Sequence, residues 1–383
     1  MSRFKGEGTI FRRRDGRWCA RIDLGWVNGR RKQKFFYAHN RAAAADLLVE
    51  ALHKRKQGET IPTNRTTLGR FMQGWLETVK ATRRPRTHQQ YEMLNRLHVE
   101  PALGQMQLTR LDAQAVQALL DAKVKQGLSP GTVRHVRTLL RRALNVALKR
   151  KLVSLNVAAL ADELPPRRKP EIKPLTEEQV RSLLVAAREH YPRWEALFAL
   201  AVRLGLRRGE LAALRWDDVN LERRELRVAQ SLQRVPGQPL TSAEPKTQGA
   251  RRVIVMPKEI IKLLRVHRAR QAQERLVAGS EWNDSGLIFA NTIGKPQEPR
   301  RINTVFDNLK KKAGLPASTR VHDLRHTAGV RLLEHKVALY DVSQLLGHSS
   351  IAITADVYAH WTPKMQRDLA DRIDTIANAE LHP

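Results

Sequence analysis

Residues 322 to 326 read His-Asp-Leu-Arg-His. Imidazoles at i and i+4 share one helix face, the spacing with which metalloproteases hold zinc, and Asp323 stands where that motif carries its glutamate. Against zinc, Arg325 lies at i+3 from His322 and puts a permanent cation on the same face. Nor does the chain hold a Cys-x-x-Cys or another tight cluster of soft ligands to complete a metal site. A guanidinium beside an imidazole suits an anion, because it gives forked, charged hydrogen bonds to phosphate oxygens. Composition points the same way. Lys and Arg number 69 against 38 Asp and Glu, a net charge of +31 that calls for a polyanionic partner, most often nucleic acid.

Four other stretches carry groups of the same kind. GLRRGELAALRW at 205 to 216 places Arg207 close behind a glycine, with Glu210 at i+3 able to hold its guanidinium. AEPKTQGARRVIVMP at 243 to 257 puts Lys246 before an apolar strand, in what reads as a hairpin. LLGHSS at 345 to 350 and ITADVYAH at 353 to 360 add His348 and Tyr358. Taken singly, each has a plain structural reading: a surface cation, a loop charge, a satisfied core histidine, a core aromatic.

The elements that must position these groups follow from periodicity. Residues 8 to 37 alternate, with Trp18, Ala20, Ile22 and Leu24 on one strand face and Arg17, Cys19, Arg21 and Asp23 on the other. Asp15-Gly16 and Asn28-Gly29 are hairpin signals, so a three-stranded antiparallel sheet is expected, followed by a helix from about Asn40. This segment, residues 1 to 60, carries 15 Lys or Arg against 6 Asp or Glu, and a small basic sheet can enter a major groove. From Thr66 the spacing turns helical. Leu68, Phe71, Met72, Trp75, Leu76 and Val79 open an all-α unit over 66 to 160. Further helices pass through Tyr91, Leu94 and Leu97, run from near Asp112 to Gly127, and start at Ser129-Pro130 with Arg134, Arg137, Arg141 and Arg142 on the polar face. Proline-rich ELPPRRKPEIKPLT reads as a linker, 161 to 175. A capping box of Thr176 and Gln179 opens the last unit, 176 to 383, mainly helical with strand-like ELRVAQS and RRVIVMP. WEALFALAVRLGL at 194 to 206 reads as a buried helix, too short and too charged to span a bilayer. The tail opens with Thr362 and Pro363 and spaces Met365, Leu369, Ile373 and Ile376 along one face. The fold class expected is therefore multidomain and mainly α, with a small N-terminal sheet plus helix, an all-α domain, and a mixed, mainly-α domain holding a small antiparallel sheet. The N-terminus shows no apolar signal region and Cys19 is the only cysteine, so a cytoplasmic chain without a disulfide framework is expected.

As an ordered set, the Arg, Lys, His-x-x-Arg, Leu-Gly-His and Tyr of GLRRGELAALRW, PKT, HDLRHT, LLGHSS and YAH resemble the tyrosine recombinase family, the phage-type integrases. The likeness extends over nearly the whole chain. It implies that residues 1 to 60 form an arm-type DNA-binding domain, 66 to 160 a helical core-binding domain and 176 to 383 the catalytic domain. It further implies catalytic roles for Arg207, Lys246, His322, Arg325, His348 and Tyr358. Tyr358 would be the nucleophile of a 3′-phosphotyrosyl intermediate, His322 the base, and Lys246 the acid that protonates the departing 5′-oxygen. Glu210 is assigned to support Arg207, and His326 and His360 to packing or orientation. A protein–phosphate ester conserves the bond energy, so the reading expects no ATP, metal or other cofactor, and no G-x-x-x-x-G-K-[ST] loop is present. Expected partners are double-stranded DNA at core and arm attachment sites, a homo-tetramer on that DNA, and accessory directionality or bending proteins, with no membrane. The tail helix would dock on its own domain or on a neighbouring protomer.

Three alternatives stay open on the sequence alone. A type IB topoisomerase shares the transesterification, and a non-cutting regulator would share the DNA-binding domains. The separate basic sheet argues for recombination over relaxation, and an acid, a base and a nucleophile in this order argue against a mere binder. A metallonuclease would lose activity in EDTA.

Overall fold

A computed structural model describes residues 8–27, 30–56, 66–161, 163–166, 173–234, 237, 239–243, 251–358, 367–368 and 370–374; the Tyr358 side chain lies outside that description. The chain divides into two compact units, Met1–Lys169 and Pro170–Pro383.

The first unit opens with strands β1 (Thr9–Arg12), β2 (Trp18–Val27) and β3 (Arg30–Ala38), an antiparallel sheet in that order. Its alternation is as expected. Ala20 and Ile22 are buried against Ala44, Leu48 and Ala51 of helix α1 (Arg41–Lys56), with Trp18 and Leu24 packed at the edge. Asn40 caps this helix by accepting from the Ala43 N–H at 2.8 Å. Cys19 differs from a simple face assignment: it points away from α1 yet is buried, set in a cross-strand row between Phe11 and Tyr37. Arg13 and Arg17 lie over the Tyr37 ring at 5.2 and 5.7 Å. The Asn28-Gly29 turn falls outside the described residues.

A separate helical core follows, from α2 (Leu68–Thr82), α3 (Pro85–Leu94), α4 (Glu100–Leu103), α5 (Ala113–Lys125), α6 (Pro130–Lys149) and α7 (Val157–Leu160). Thr67, Asp112 and Ser129 cap α2, α5 and α6 with their side chains. Leu97 is exposed, because a π-helical turn over Asn95–Val99 continues α3 and turns Asn95 and Val99 inward instead. Two of the α6 arginines are tied to backbone carbonyls, Arg134 donating to Pro165 O at 2.7 Å and Arg137 to Ala159 O at 3.1 Å, while Arg142 donates to the Tyr91 hydroxyl.

In the second unit, α8 (Glu177–His190) opens with the expected capping box of Thr176 and Gln179. Helix α9 (Glu195–Arg203) is buried over Glu195–Val202 at the centre of the core. Next come α10 (Arg208–Ala213), β4 (Val219–Asn220), β5 (Glu225–Val228), β6 (Ser231–Gln233), β7 (Thr241–Ala243) and β8 (Arg252–Val255). The expected local hairpin before RRVIVMP is not how β8 pairs. It joins β5 and β4 in one sheet while β6 and β7 form another, because Ile254 aligns with Leu226 and both face the core. Helices α11 (Lys258–Ala278), α12 (Pro299–Lys312), α13 (Val321–Glu334), α14 (Leu339–Leu346) and α15 (Ile351–Tyr358) complete the unit. Thr327, fully buried on α13, accepts from the Leu175 N–H at 3.0 Å, fastening the end of the linker to that helix. Of the tail helix only 367–368 and 370–374 are described; Ile373 there is exposed and Asp368 lies 3.6 Å from Lys336. Among the described residues no helix is long and apolar enough to cross a membrane.

Candidate active site

Arg207, His322 and His348 sit at or beside the ends of elements, where backbone groups are left to be satisfied, and Arg325 lies one turn into α13. Arg207 is the residue before α10. Glu210, at the third helical position, accepts its backbone N–H at 2.9 Å and its Nη1 at 2.8 Å, so one carboxylate caps the helix and fixes the guanidinium. Asp323 does the same on α13. It accepts the Arg320 backbone N–H at 2.8 Å and the Arg320 Nη2 at 2.9 Å, which makes it a cap rather than a counterpart of a metalloprotease glutamate. Among the described residues no group of three or more His, Cys, Asp or Glu is placed to hold a metal ion.

The C-terminus of α14 is where these groups converge. Gly347, at φ +65°, closes the helix: its N–H reaches the Gln344 carbonyl, and the His348 N–H reaches the Ser343 carbonyl at 3.2 Å. The three following carbonyls each take an arginine from a different element. Arg252 Nε donates to Leu345 O at 2.7 Å, Arg325 Nη2 to Leu346 O at 2.6 Å and Arg207 Nη2 to Gly347 O at 3.2 Å. Arg325, only 3% exposed, also donates through Nη1 to Gly205 O at 2.7 Å. Cations at a helix C-terminus are favoured by its dipole as well as by the orphan carbonyls.

His348 shares a 2.7 Å hydrogen bond with the buried Thr354 on α15, which orients its ring. Burial, with Arg325 and Arg207 close by, holds His348 down at about 4. His326, edge-on to His322 with ring centroids 4.8 Å apart, is likewise held at about 4, chiefly by burial and then by His322. His322 is more open to solvent but is lowered in the same direction by partial desolvation and by Arg325 and Arg207. Burial raises the Glu210 carboxyl, yet Arg252 and Arg207 outweigh it and keep the group below the usual carboxylate range. Arg207 and Arg325 thus stand beside imidazoles whose proton affinity is lowered by burial and by those same cations.

Arg207, His322, Arg325 and His348 are thus brought together. Tyr358 ends α15, and α15 packs against both α13 and α14. Lys246 and His360 lie outside the described residues. Sequence reasoning passed over Arg252 and Thr354. Arg252 was one cation among 69, and its partner Glu210 is brought to it only by the tertiary fold.

Known proteins bear on this arrangement. The phage integrase family matches residues 173–365, and the phage integrase N-terminal SAM-like domain matches 67–124. A tyrosine recombinase XerC-like protein of Caldanaerobacter subterraneus subsp. tengcongensis is 30% identical over 367 residues, covering 91% of this chain and 93% of the relative. The chain belongs to the tyrosine recombinases. In fold this recombinase is similar to the Tn1549 transposon integrase in complex with transposon right end DNA, with a TM-score of 0.70 and 23% identity over 81% of this chain and 100% of that one. It also resembles a lambda integrase tetramer bound to a Holliday junction, with a TM-score of 0.58 and 18% identity over 93% and 96% of the two chains. These matches favour the recombinase over the topoisomerase and regulator readings.

Two expectations for the recombinase follow from the α14 terminus. Gly347→Ala should destabilise it by about 1–2 kcal/mol, the cost of a left-handed backbone for a residue with a Cβ. The added carbon would also stand 2.8 Å from Arg252 Nη1, so thermal unfolding should show a lowered midpoint and cleavage should slow with it. The second concerns pH. His326 and His348 have folded values near 4 against an ordinary 6.5, so between those values the unfolded chain binds more protons. Their contribution to stability is complete above pH 6.5 and is lost as pH falls toward 4. Thermal midpoints measured at pH 7.5 and pH 5 should drop accordingly, with a smaller drop in His348→Gln; an equal drop in that variant would exclude His348 as a source.

Proposed function

We propose that this recombinase cuts and rejoins double-stranded DNA through Tyr358, integrating or excising a mobile element such as a prophage. A phosphodiester is anionic and gathers further charge in its pentacoordinate transition state, so fixed positive donors around the non-bridging oxygens lower the barrier. Arg207 and Arg325 supply them, with His348 adding a hydrogen bond. The Tyr358 oxygen attacks phosphorus, forming the 3′-phosphotyrosyl bond as the phosphorus–5′-oxygen bond breaks. His322 takes the phenol proton and Lys246 gives one to the departing 5′-oxygen. Tyrosine ionises near pH 10, so attack at neutral pH needs that proton removal and the surrounding positive field. A 5′-hydroxyl from a second strand then reverses the step, and no external energy source is consumed.

The observation that carries this reading is the gathering of Arg207, Arg325 and His348 at the end of α14, directly before the helix that Tyr358 closes. Residues 1–60 are assigned to arm-site binding, 66–160 to core-site binding, 161–175 to the linker and 176–383 to catalysis. The likeness to a lambda integrase solved as a tetramer supports assembly as a homo-tetramer on paired sites; accessory directionality or DNA-bending proteins are the further partners this reading expects. The reading assigns the chain to the cytoplasm. The test is a suicide substrate: nicked DNA carrying the candidate attachment site, incubated in EDTA. A covalent protein–DNA adduct that persists through denaturing gels is expected, and adduct formation only with added divalent metal would overturn the reading.

A further inference from the structure

We propose that Arg252 is a positioning residue for strand cleavage, holding Glu210 and the end of α14 in the register that keeps Arg207 and His348 in place. The inference rests on the recombinase reading above. Arg252 is the first residue of β8, paired there with Val228 of β5, and its side chain is 7% exposed. Its guanidinium works in two directions at once. Nε donates to Leu345 O at 2.7 Å, and Nη2 donates to Glu210 Oε2 at 3.0 Å.

Those bonds close a ring. From Arg252 the path runs through Glu210 to Arg207 Nη1 at 2.8 Å, from Arg207 Nη2 to Gly347 O at 3.2 Å, and back along the chain to Leu345 and Arg252. Buried polar networks of this kind are coupled, so loosening one member loosens the rest. Arg252 meets no reacting atom in this scheme. It acts through Glu210, which orients Arg207, and through the α14 carbonyl two residues before Gly347, which precedes His348. Lysine could not replace it fully, because an ammonium lacks the planar fork that serves a carboxylate and a carbonyl together. Gly347 is part of the same fit, since a Cβ there would press on Arg252.

The experiment uses the full-length protein and the nicked suicide substrate, with single-turnover cleavage measured at saturating DNA and affinity and thermal midpoint measured alongside. Arg252→Gln should cleave about 10²-fold more slowly than wild type, the scale of a displaced catalytic group, with DNA affinity unchanged. Arg252→Lys should recover part of that loss. Combining Arg252→Gln with Glu210→Gln should slow cleavage no further than the slower single variant. Should Arg252→Gln fail to fold, Arg252→Lys decides: slower cleavage at unchanged affinity supports the role. Wild-type cleavage rates in the folded variants overturn it, as does a loss that tracks DNA affinity or multiplies independently with Glu210→Gln. Absence of any adduct from the wild-type protein would instead sink the recombinase reading itself.

Discussion

Tyr358→Phe is expected to bind attachment-site DNA as tightly as the wild type and to yield no covalent adduct. On the proposed mechanism, removing that one oxygen deletes the atom that attacks phosphorus while sparing the arginines. Without a nucleophile, turnover should fall below roughly one part in 10³, in line with losses seen when a covalent catalyst loses its attacking group. Denaturing gels of the trapped substrate read the adduct, and gel shifts on the same DNA read binding. An adduct of undiminished yield in the variant would remove Tyr358 from the reaction.

Arg325 is expected to give the next largest effect, in two separable parts. Arg325→Ala should lower the cleavage rate by about 10²–10³-fold, the range for losing one fixed donor to a developing oxyanion. It should also lower stability by about 1–3 kcal/mol, because the Gly205 and Leu346 carbonyls lose their buried donor. Arg207→Ala should match the first effect with less of the second, since that side chain is 38% exposed. DNA affinity should change little in either, given the many other cations on the chain. Single-turnover rates at saturating DNA isolate the chemical step. Normal cleavage by both variants would refute the phosphate clamp.

Much of this was legible before any coordinates. Caps at Ser129 and Thr176, the burial of α9 and the alternation of β2 rest on local spacing, whereas Arg207, His322, Arg325 and His348 were singled out as an ordered set by the family resemblance. What escaped depends on pairing across the fold. The partner of β8 is set by Leu226 and Ile254 meeting over one core, and nothing near residue 252 announces that. Glu210 was readable as the holder of Arg207 because the two lie in one helical turn, whereas Arg252 reaches the same carboxylate from another strand. Cys19 was assigned to the open face correctly by parity, but its burial comes from neighbours on two other strands.

The bonds from Arg134 and Arg137 to the carbonyls of Pro165 and Ala159 bear on the charge that the helical core of the first unit offers a polyanion. Each phosphate neutralised by a cation liberates about 0.9 of a condensed counterion, which sets how steeply affinity falls with salt. Bonded to neutral carbonyls, Arg134 and Arg137 keep their charge, so anchoring fixes the direction of their donors without removing them from that count. Those side chains spend part of their directionality on fastening the segment that leaves the helical core, while their charge stays available to a polyanion.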